Sequence, residues 1–455
     1  MTLTYPYTLS LRPFGVGIAF SLLANATTAQ GYDFAAFQKY SDDRQGQAIL
    51  IHENGKTIYE KYTNWTATTA HRLASGTKSF TGVLVALAVD DGLLSFDERL
   101  VDTITEWKGS TEREKITYRQ LVGLISGLDG GGIGQVPTYE DAIKAKMTGT
   151  AGNRFHYGPN PFQAFGEALK RKLAARPAKE TVEAYIQRKL LTPLGLVVKA
   201  WAKKAVGEPN LPSGAFPTAR EWIKFGEMVL NNGVYNSKRI VSARNLNQLF
   251  VGTSVKPTYG VGWWLPGASS VIPRDARMAK GAGKQRLFVF PALELVIVRF
   301  GETTGAFNDD AFIAALLPSR FWNVGAGCAG TVGTPRLLGN RLPTYGKTMA
   351  LQLDRIPANA VGLFFLGASK DRYLGSKLPL SLAPLGMTGC NLNISLDWSA
   401  PFKATNGAAS FVLALPRNNS LPGVVGYFQA LVLDKNANPA GQTVSNGLGV
   451  QVGVR

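Results

Sequence analysis

The sequence predicts an α+β domain followed by a small all-β domain, and three observations carry that prediction. Strand patterns open the chain, helical patterns fill its middle, and strand patterns return ahead of one closing helix. This order describes a sheet assembled from both ends of a segment, with helices between. Beyond Asn323 no helical periodicity survives, and short apolar runs recur with turn residues between them. At 455 residues the chain has room for two or three domains of roughly 100–200 residues each.

Within the first thirty residues, one charge at Arg12 precedes an apolar run from Phe14 to Leu23 and then the small residues Ala24-Asn25-Ala26 and Thr27-Thr28-Ala29. That order is a secretory signal peptide, with cleavage expected after Ala26 or Ala29. Residues 1–29 are assigned to it, and the protein is expected to be secreted or periplasmic. No other apolar run approaches the roughly 20 residues that span a bilayer, so it is not expected to be membrane-spanning.

The first domain is assigned to residues 30–322. Gln47 to Glu60 reads as two strands joined by the turn Asn54-Gly55. Helical patterns follow near residues 78–91, 117–126, 162–175, 180–190 and 218–231. Strands are expected at Tyr259–Leu265, Leu287–Phe290 and Leu293–Phe300, and a helix at Asp309–Leu316. Trp263 and Trp264 read as core residues of the first of these strands. Residues 323–455 begin with a linker-like Gly-Ala-Gly-Cys-Ala-Gly stretch. Runs such as Val361–Leu366, Phe411–Leu415 and Tyr427–Leu433 then fit a small β-sandwich. No repeat of fixed period is present.

Composition narrows the function classes. The 49 Lys plus Arg against 31 Asp plus Glu give a net charge of +18, which favours anionic surroundings such as a cell-envelope polymer. Residues 328–455 hold 11 of these cations and 4 of these anions, so both domains are basic and the charge is not a nucleic-acid-binding tail. Export and the lack of a nucleic-acid fold motif argue further against nucleic acid. The two cysteines, Cys328 and Cys390, are read as a disulfide of the oxidising compartment, worth roughly 3–4 kcal/mol in the loop-entropy model. With only His52, His71 and His156 as histidines, no Cys/His metal site is expected. Gly127 to Gly134 lacks the Lys-Ser/Thr of a phosphate loop and reads as a flexible loop near a site mouth.

Chemistry concentrates at Ser75-Gly76-Thr77-Lys78, at the start of the first helix. Three residues is just under one helical turn, so the Ser75 hydroxyl and Lys78 amine share a face and can meet. An amine in a dry site beside other cations loses its proton readily and can then take one from Ser75 as it attacks a carbonyl. The helix N-terminus favours the developing negative charge.

The following helix, Phe80 to Asp91, ends at Gly92, and further motifs keep one order: Ile116-Thr117-Tyr118-Arg119-Gln120-Leu121 with Ser126-Gly127-Leu128, Tyr157-Gly158-Pro159-Asn160, and Pro212-Ser213-Gly214-Ala215-Phe216 with Thr218-Ala219-Arg220. Over residues 45–320 the sequence thereby resembles the serine β-lactamase-related family of class C β-lactamases, D-alanyl-D-alanine carboxypeptidases and esterases. The resemblance implies a β-lactamase/transpeptidase-like antiparallel sheet with a helical subdomain. It implies Ser75 as the acylated nucleophile, Lys78 as its partner, and Tyr157 as base or proton shuttle, its phenol kept acidic by neighbouring cations. The family's Asn falls at Pro159, leaving Asn160 one residue away as a substrate-binding candidate.

The family's third motif, Lys-Thr-Gly or His-x-Gly, corresponds to Ala279-Lys280-Gly281. One register puts Ala279 at the cationic position and Gly281 at the glycine; a shift of one puts Lys280 there. The first keeps the following strand in step, and it implies an oxyanion hole from the Ser75 and Ala282 N–H groups. Lys280 and Gly281 remain substrate-binding candidates, and Arg286 reads as a solvated side chain. Losing a fixed cation here disfavours substrates that carry a free carboxylate.

His71 and His156 lie near Ser75 and Tyr157 in sequence, but the Gly-x-Ser-x-Gly elbow of a Ser-His-Asp triad is absent. The sequence reading is therefore a secreted serine hydrolase that cleaves an ester or amide through a Ser75 acyl-enzyme, acting on a small ester, amide or peptide without metal or organic cofactor. β-Lactamase or D-Ala-D-Ala carboxypeptidase activity is one alternative, and a catalytically idle cell-envelope or glycan-binding protein is the other.

Overall fold

A computed structural model describes residues 32–302 and 305–454. The expected signal peptide, residues 1–29, lies outside them. The chain divides into two compact units, Phe34–Phe312 and, from Ile313 onward, a C-terminal unit that also takes in Asp33. The strand Arg320–Asn323, just ahead of the limit expected at residue 322, pairs inside the C-terminal unit.

The first unit opens with helix α1, Phe34–Asp42, which sequence patterning had not indicated. Strands β1, Gly46–Glu53, and β2, Lys56–Tyr62, form the expected hairpin. Asn54 and Gly55 both adopt positive φ, 51° and 71°, as a two-residue turn matched to strand twist requires. Far along the chain come β3, Arg277–Gly281, β4, Gln285–Phe290, and β5, Leu295–Gly301. They join the hairpin in one antiparallel sheet of order β2-β1-β5-β4-β3, with Ile51 opposite Ile297. The sheet is therefore built from both ends of the segment.

Among the helices between these strand groups in sequence are α2, Lys78–Asp90, α3, Asn160–Ala174, and α4, Ala219–Leu230. Trp222, Phe225 and Met228 of α4 share one core with Leu287, Val289, Val296 and Val298 of the sheet. On the other face, Phe37 of α1 stacks on Phe312 at 4.1 Å between ring centroids, and Phe312 meets Phe288 at 6.1 Å. Both faces being covered explains why β4 is buried along its whole length and reads as a continuous apolar run. Every residue of α2 from Lys78 to Ala88 is buried, which makes it the central helix of the unit.

Three local expectations are corrected. Tyr259–Leu265 is not a strand: Gly262, at φ 78°, turns the chain so that Tyr259 and Trp264 form an isolated bridge, and the Gly262 carbonyl accepts the Ser79 hydroxyl at 3.1 Å. The helix expected at 117–126 covers only Tyr118–Val122, because Leu124 takes a left-handed conformation, φ 61°. The helix expected at 180–190 covers Val182–Ile186 and then widens into a π turn at Gln187–Leu191.

The helix Asp309–Leu316, as expected, carries the division between the units. The C-terminal unit is strand-rich. Its longer strands are β6, Arg320–Asn323, β7, Arg336–Arg341, β8, Thr348–Asp354, β9, Val361–Gly367, β10, Trp398–Lys403, β11, Ala409–Ala414, β12, Val425–Leu433, β13, Gln442–Val444, and β14, Leu448–Gln451. One sheet runs β6-β14-β12-β9-β10 with β13 also on β12, and a second runs β7-β8-β11. Leu337, Leu351 and Leu353 of the second sheet share a core with Phe364, Leu366, Phe428 and Val432 of the first. That is a sandwich. Cys328 and Cys390 are joined as a disulfide and lie with Met387 and Val444 in a satellite cluster.

One close approach ties the sheet to the helical part. A Cβ placed on Gly281, at the end of β3, would lie 1.9 Å from the carbonyl oxygen of Leu73. Gly281→Ala is expected to force these segments apart at a cost of about 1–3 kcal/mol, read by calorimetry as a lower thermal midpoint for the first unit.

Candidate active site

Residues 71–73 run alongside the short strand Ala215–Pro217, with the Leu73 N–H donating to the Ala215 carbonyl at 2.9 Å and the His71 N–H to the Pro217 carbonyl at 3.1 Å. Ala74 then takes φ 47°, a left-handed conformation that costs a non-glycine residue about 1–2 kcal/mol. A single 3-10 turn, Ala74–Thr77, leads directly into α2. Ser75 thus stands half-buried at the mouth of the central helix.

Lys78 is 4 % exposed. Its Nζ donates to Ser75 Oγ at 3.1 Å and to the Pro212 carbonyl at 3.2 Å. The same nitrogen lies 4.8 Å from the Tyr157 ring centroid and 5.2 Å from that of Phe162. Among the described residues no carboxylate pairs with it, and burial pulls its pKa down to about 7. The cause is desolvation; the neighbouring cations expected from the sequence are not needed.

Tyr157 packs among Phe155, Tyr259 and Trp264, at 6.3, 6.3 and 5.7 Å between centroids. Burial pushes its phenol above the ordinary tyrosine value, while a hydrogen bond with Ser75 and the positive field of Arg286 offset only part of that. The expectation of an acidic phenol is therefore corrected: near neutral pH Tyr157 holds its proton.

Asn160 opens α3 and gives its side-chain N–H to the Asp129 carbonyl at 3.1 Å, while its backbone N–H donates to the Gly130 carbonyl at 3.0 Å. Its amide thus fastens the glycine-rich loop to the Tyr157 segment. His156 does the same, accepting the Gly130 N–H at 3.2 Å. His71 stacks near Trp65 at 4.5 Å, and burial lowers its pKa. His52 pairs with Glu227 at 2.6 Å and Thr57 at 2.9 Å. Every histidine is thus engaged away from Ser75.

On β3, strand alternation sorts the third motif. Ala279 is fully buried in the core that includes Leu73, and Gly281 meets Leu73 directly. Lys280, on the opposite face, pairs with Asp309 at 2.8 Å and sits 5.7 Å from the Trp264 ring. Arg286 pairs with the same Asp309 at 2.6 Å and donates to the Gly281 carbonyl at 3.2 Å and the Gln285 carbonyl at 3.0 Å. Arg286 is accordingly buried, not solvated as expected, because Asp309 and these carbonyls replace its water. Ala282 is exposed where β3 turns away through Gly283 and Lys284, at φ 74° and 61°. Gln285 braces that turn by accepting the Gly301 N–H at 3.1 Å and donating to its carbonyl at 2.6 Å.

The structure brings Ser75, Lys78 and Tyr157 into direct contact and sets the Ala282 turn beside the segment that carries Ser75. It fastens Asn160 and Lys280 to other partners. Sequence reasoning missed three contributors. The Pro212 carbonyl anchors Lys78 from a matched motif that was given no role. Asp309 takes up two cations, and the acidic start of the closing helix was its only signal. Trp264 borders the site whereas Trp263 is fully buried, a split that adjacency in sequence conceals.

Among solved structures, the chain is similar to a candidate beta-lactamase from Bacteroides dorei, at 20 % identity and a TM-score of 0.53 over 62 % of this chain and 94 % of that one. EstCE1, a hydrolase with promiscuous acyltransferase activity, aligns at 14 % identity and TM-score 0.51 over 65 % of this chain and 96 % of its own. A candidate 6-aminohexanoate-dimer hydrolase from Bacillus anthracis aligns at 20 % identity and TM-score 0.50 over 60 % and 77 %. At these identities the likeness concerns the fold. A search of curated proteins found no match. The Beta-lactamase family model matches residues 34–317, the span that holds the sheet, the central helix and the Ser75–Lys78–Tyr157 cluster, and the chain therefore belongs to the beta-lactamase family.

Proposed function

We propose that the Phe34–Phe312 unit is a serine hydrolase that opens an ester or amide through an acyl-enzyme on Ser75. The observation that carries this reading is the buried Lys78 amine, 3.1 Å from the Ser75 hydroxyl with its pKa pulled down to about 7. In its neutral form Lys78 takes the Ser75 proton as Oγ attacks the carbonyl carbon. The N–H groups of Ser75 and Ala282 receive the developing oxyanion. Tyr157, protonated and bonded to Ser75, passes its proton to the leaving oxygen or nitrogen. It recovers a proton from Lys78. Water then attacks the acyl carbon by the same proton route in reverse and frees Ser75.

Substrate class follows from charge. Ala279, at the position of the family's cation, is buried in the core, and the two nearby cations, Lys280 and Arg286, are both engaged by Asp309. Lys280 is therefore taken up by Asp309 rather than left for a substrate carboxylate, and the aromatic wall of Tyr157, Tyr259 and Trp264 suits a neutral acyl group. This ranks esters and amides without a free carboxylate above β-lactams and D-Ala-D-Ala peptides. Export to the periplasm or medium belongs to the same reading, supported by the order of residues in positions 1–29 and by the Cys328–Cys390 disulfide.

Incubation with a fluorophosphonate and, separately, with a labelled penicillin, read by intact mass, tests the nucleophile and the substrate class together. The phosphonate is expected to label the wild type once and Ser75→Ala not at all, with ester turnover in the variant down roughly 10³-fold or more. Phosphonate labelling that persists in Ser75→Ala overturns the assignment of Ser75. A stable penicillin adduct moves the substrate class to peptidoglycan peptides.

Lys78 makes a separate pH prediction. Only its neutral form is the proposed base, so kcat/KM is expected to rise about tenfold per pH unit below about 7 and level off above it. Stability has its own sign. Between pH 7 and 10.5 the unfolded chain holds the Lys78 proton and the folded chain does not, so wild-type stability rises with pH across that window. Lys78→Met is expected to abolish acylation, to lose this rise, and to be more stable than the wild type at pH 6 by about 2 kcal/mol after loss of the Pro212 hydrogen bond. Denaturant titrations at pH 6 and pH 9 measure the difference.

A further inference from the structure

The C-terminal unit contains an open cleft of about 490 Å³ whose walls come from β6, β7, the turn after β8 and the approach to β14. Phe321, Trp322, Pro335 and Leu338 give it apolar surface, Arg336 and Arg355 give it charge, and no acidic residue lines it. Two tight packings seat the aromatic rings. A Cβ on Gly449 would lie 2.1 Å from Trp322 Cε2, and one on Gly339 would lie 2.0 Å from Phe321 Cδ2. Either ring would be displaced by any side chain opposite it.

Charge in the cleft is partly uncompensated. Arg336 is gripped by Asp354 through two hydrogen bonds, at 3.1 and 2.7 Å. Arg355 is exposed, and among the described residues no ion pair or side-chain hydrogen bond holds its guanidinium. Arg320, outside the cleft lining, lies 5.6 Å from the Trp322 ring centroid and donates to Gln451 Oε1 at 2.9 Å. Arg355 also adopts φ 58°, a left-handed conformation that glycine or asparagine would occupy with less strain. A free cation held at a strained position on the rim of an aromatic-lined cleft is the arrangement of a ligand contact, since strain of this kind collects at binding sites.

We propose that this cleft binds an acidic oligosaccharide, with a uronate carboxylate on Arg355 and a sugar ring against the apolar wall. The planar guanidinium fork matches a carboxylate in two parallel hydrogen bonds. Aromatic and proline surfaces take the C–H face of a pyranose while leaving its hydroxyls in water. The cleft belongs wholly to the C-terminal unit and the proposal does not rest on the hydrolase reading.

Isothermal titration of the full chain with hexagalacturonate, with cellohexaose as the neutral counterpart and with a single-stranded DNA 12-mer as a second polyanion, tests it. Hexagalacturonate is expected to bind with one site, cellohexaose at least tenfold more weakly, and DNA more weakly than the uronate. Arg355→Gly should weaken uronate binding at least fivefold with an unchanged or higher thermal midpoint, because glycine relieves the positive φ. Phe321→Ala should weaken uronate binding while leaving the residual DNA binding unchanged. Equal affinity for the neutral sugar, wild-type binding by Arg355→Gly, DNA binding equal to or tighter than that of the uronate, or no binding of any probe would each overturn the proposal.

Discussion

The burial of one amine organises the first unit. Lys78 stands on the buried helix α2, where the Ser75 hydroxyl, the Pro212 carbonyl and the rings of Tyr157 and Phe162 surround its amine. Removing an ammonium from water without a counter-ion costs several kcal/mol, and the group lowers that cost by giving up its proton. The rest of the unit supplies the stability that tolerates this. The hairpin and the three late strands close a sheet with both faces covered, so a helix as buried as α2 can hold a lysine without opening.

The same sheet determines what stands opposite Ser75. β3 is an edge strand of order β2-β1-β5-β4-β3, and its alternation puts Ala279 and Gly281 on the face that meets Leu73 and Lys280 on the other. Asp309 then collects Lys280 and Arg286 together, and those two cations hold its carboxyl below the ordinary range despite burial. Arg286 in turn grips the Gly281 carbonyl. One carboxylate therefore pairs both cations and, through Arg286, braces the end of β3 ahead of the Ala282 turn.

Much of this was legible in the sequence where local rules suffice. The Asn54-Gly55 hairpin, the helix from Lys78, the helix near Ala219 and the closing helix at Asp309 all follow from turn chemistry or periodicity, and the Ser75–Lys78 contact follows from helical spacing. What failed depends on long-range packing. Tyr259–Leu265 alternates like a strand, yet Gly262 must pass within contact of Lys78 and Gly82 of α2, and that demand bends it into a loop. Arg286 reads as solvated because Asp309 is far away in sequence, and the contacts of Asn160 with Asp129 and Gly130 go unforeseen because that loop carries no motif. The acidity of Tyr157 was misjudged for the same reason, since burial is a property of the fold and not of the Tyr-Gly-Pro-Asn motif.

That last error leads to the chemistry. Desolvation disfavours whichever form of a group is charged, so one dry environment moves an amine and a phenol in opposite directions. Lys78 and Tyr157 share that environment, with the ammonium nitrogen 4.8 Å from the phenol ring. Lys78 falls to about 7 and Tyr157 rises above its ordinary value. Had cations surrounded them, as the sequence reading supposed, both values would have fallen and the site would hold two bases and no acid. Burial alone separates the pair into a group free to accept a proton and a group holding one to give, at the same pH and both on Ser75. Acyl transfer needs both roles, a base for the attacking hydroxyl and an acid for the leaving group. Desolvation that outweighs the nearby Arg286 charge is therefore what equips this pair for the proposed reaction.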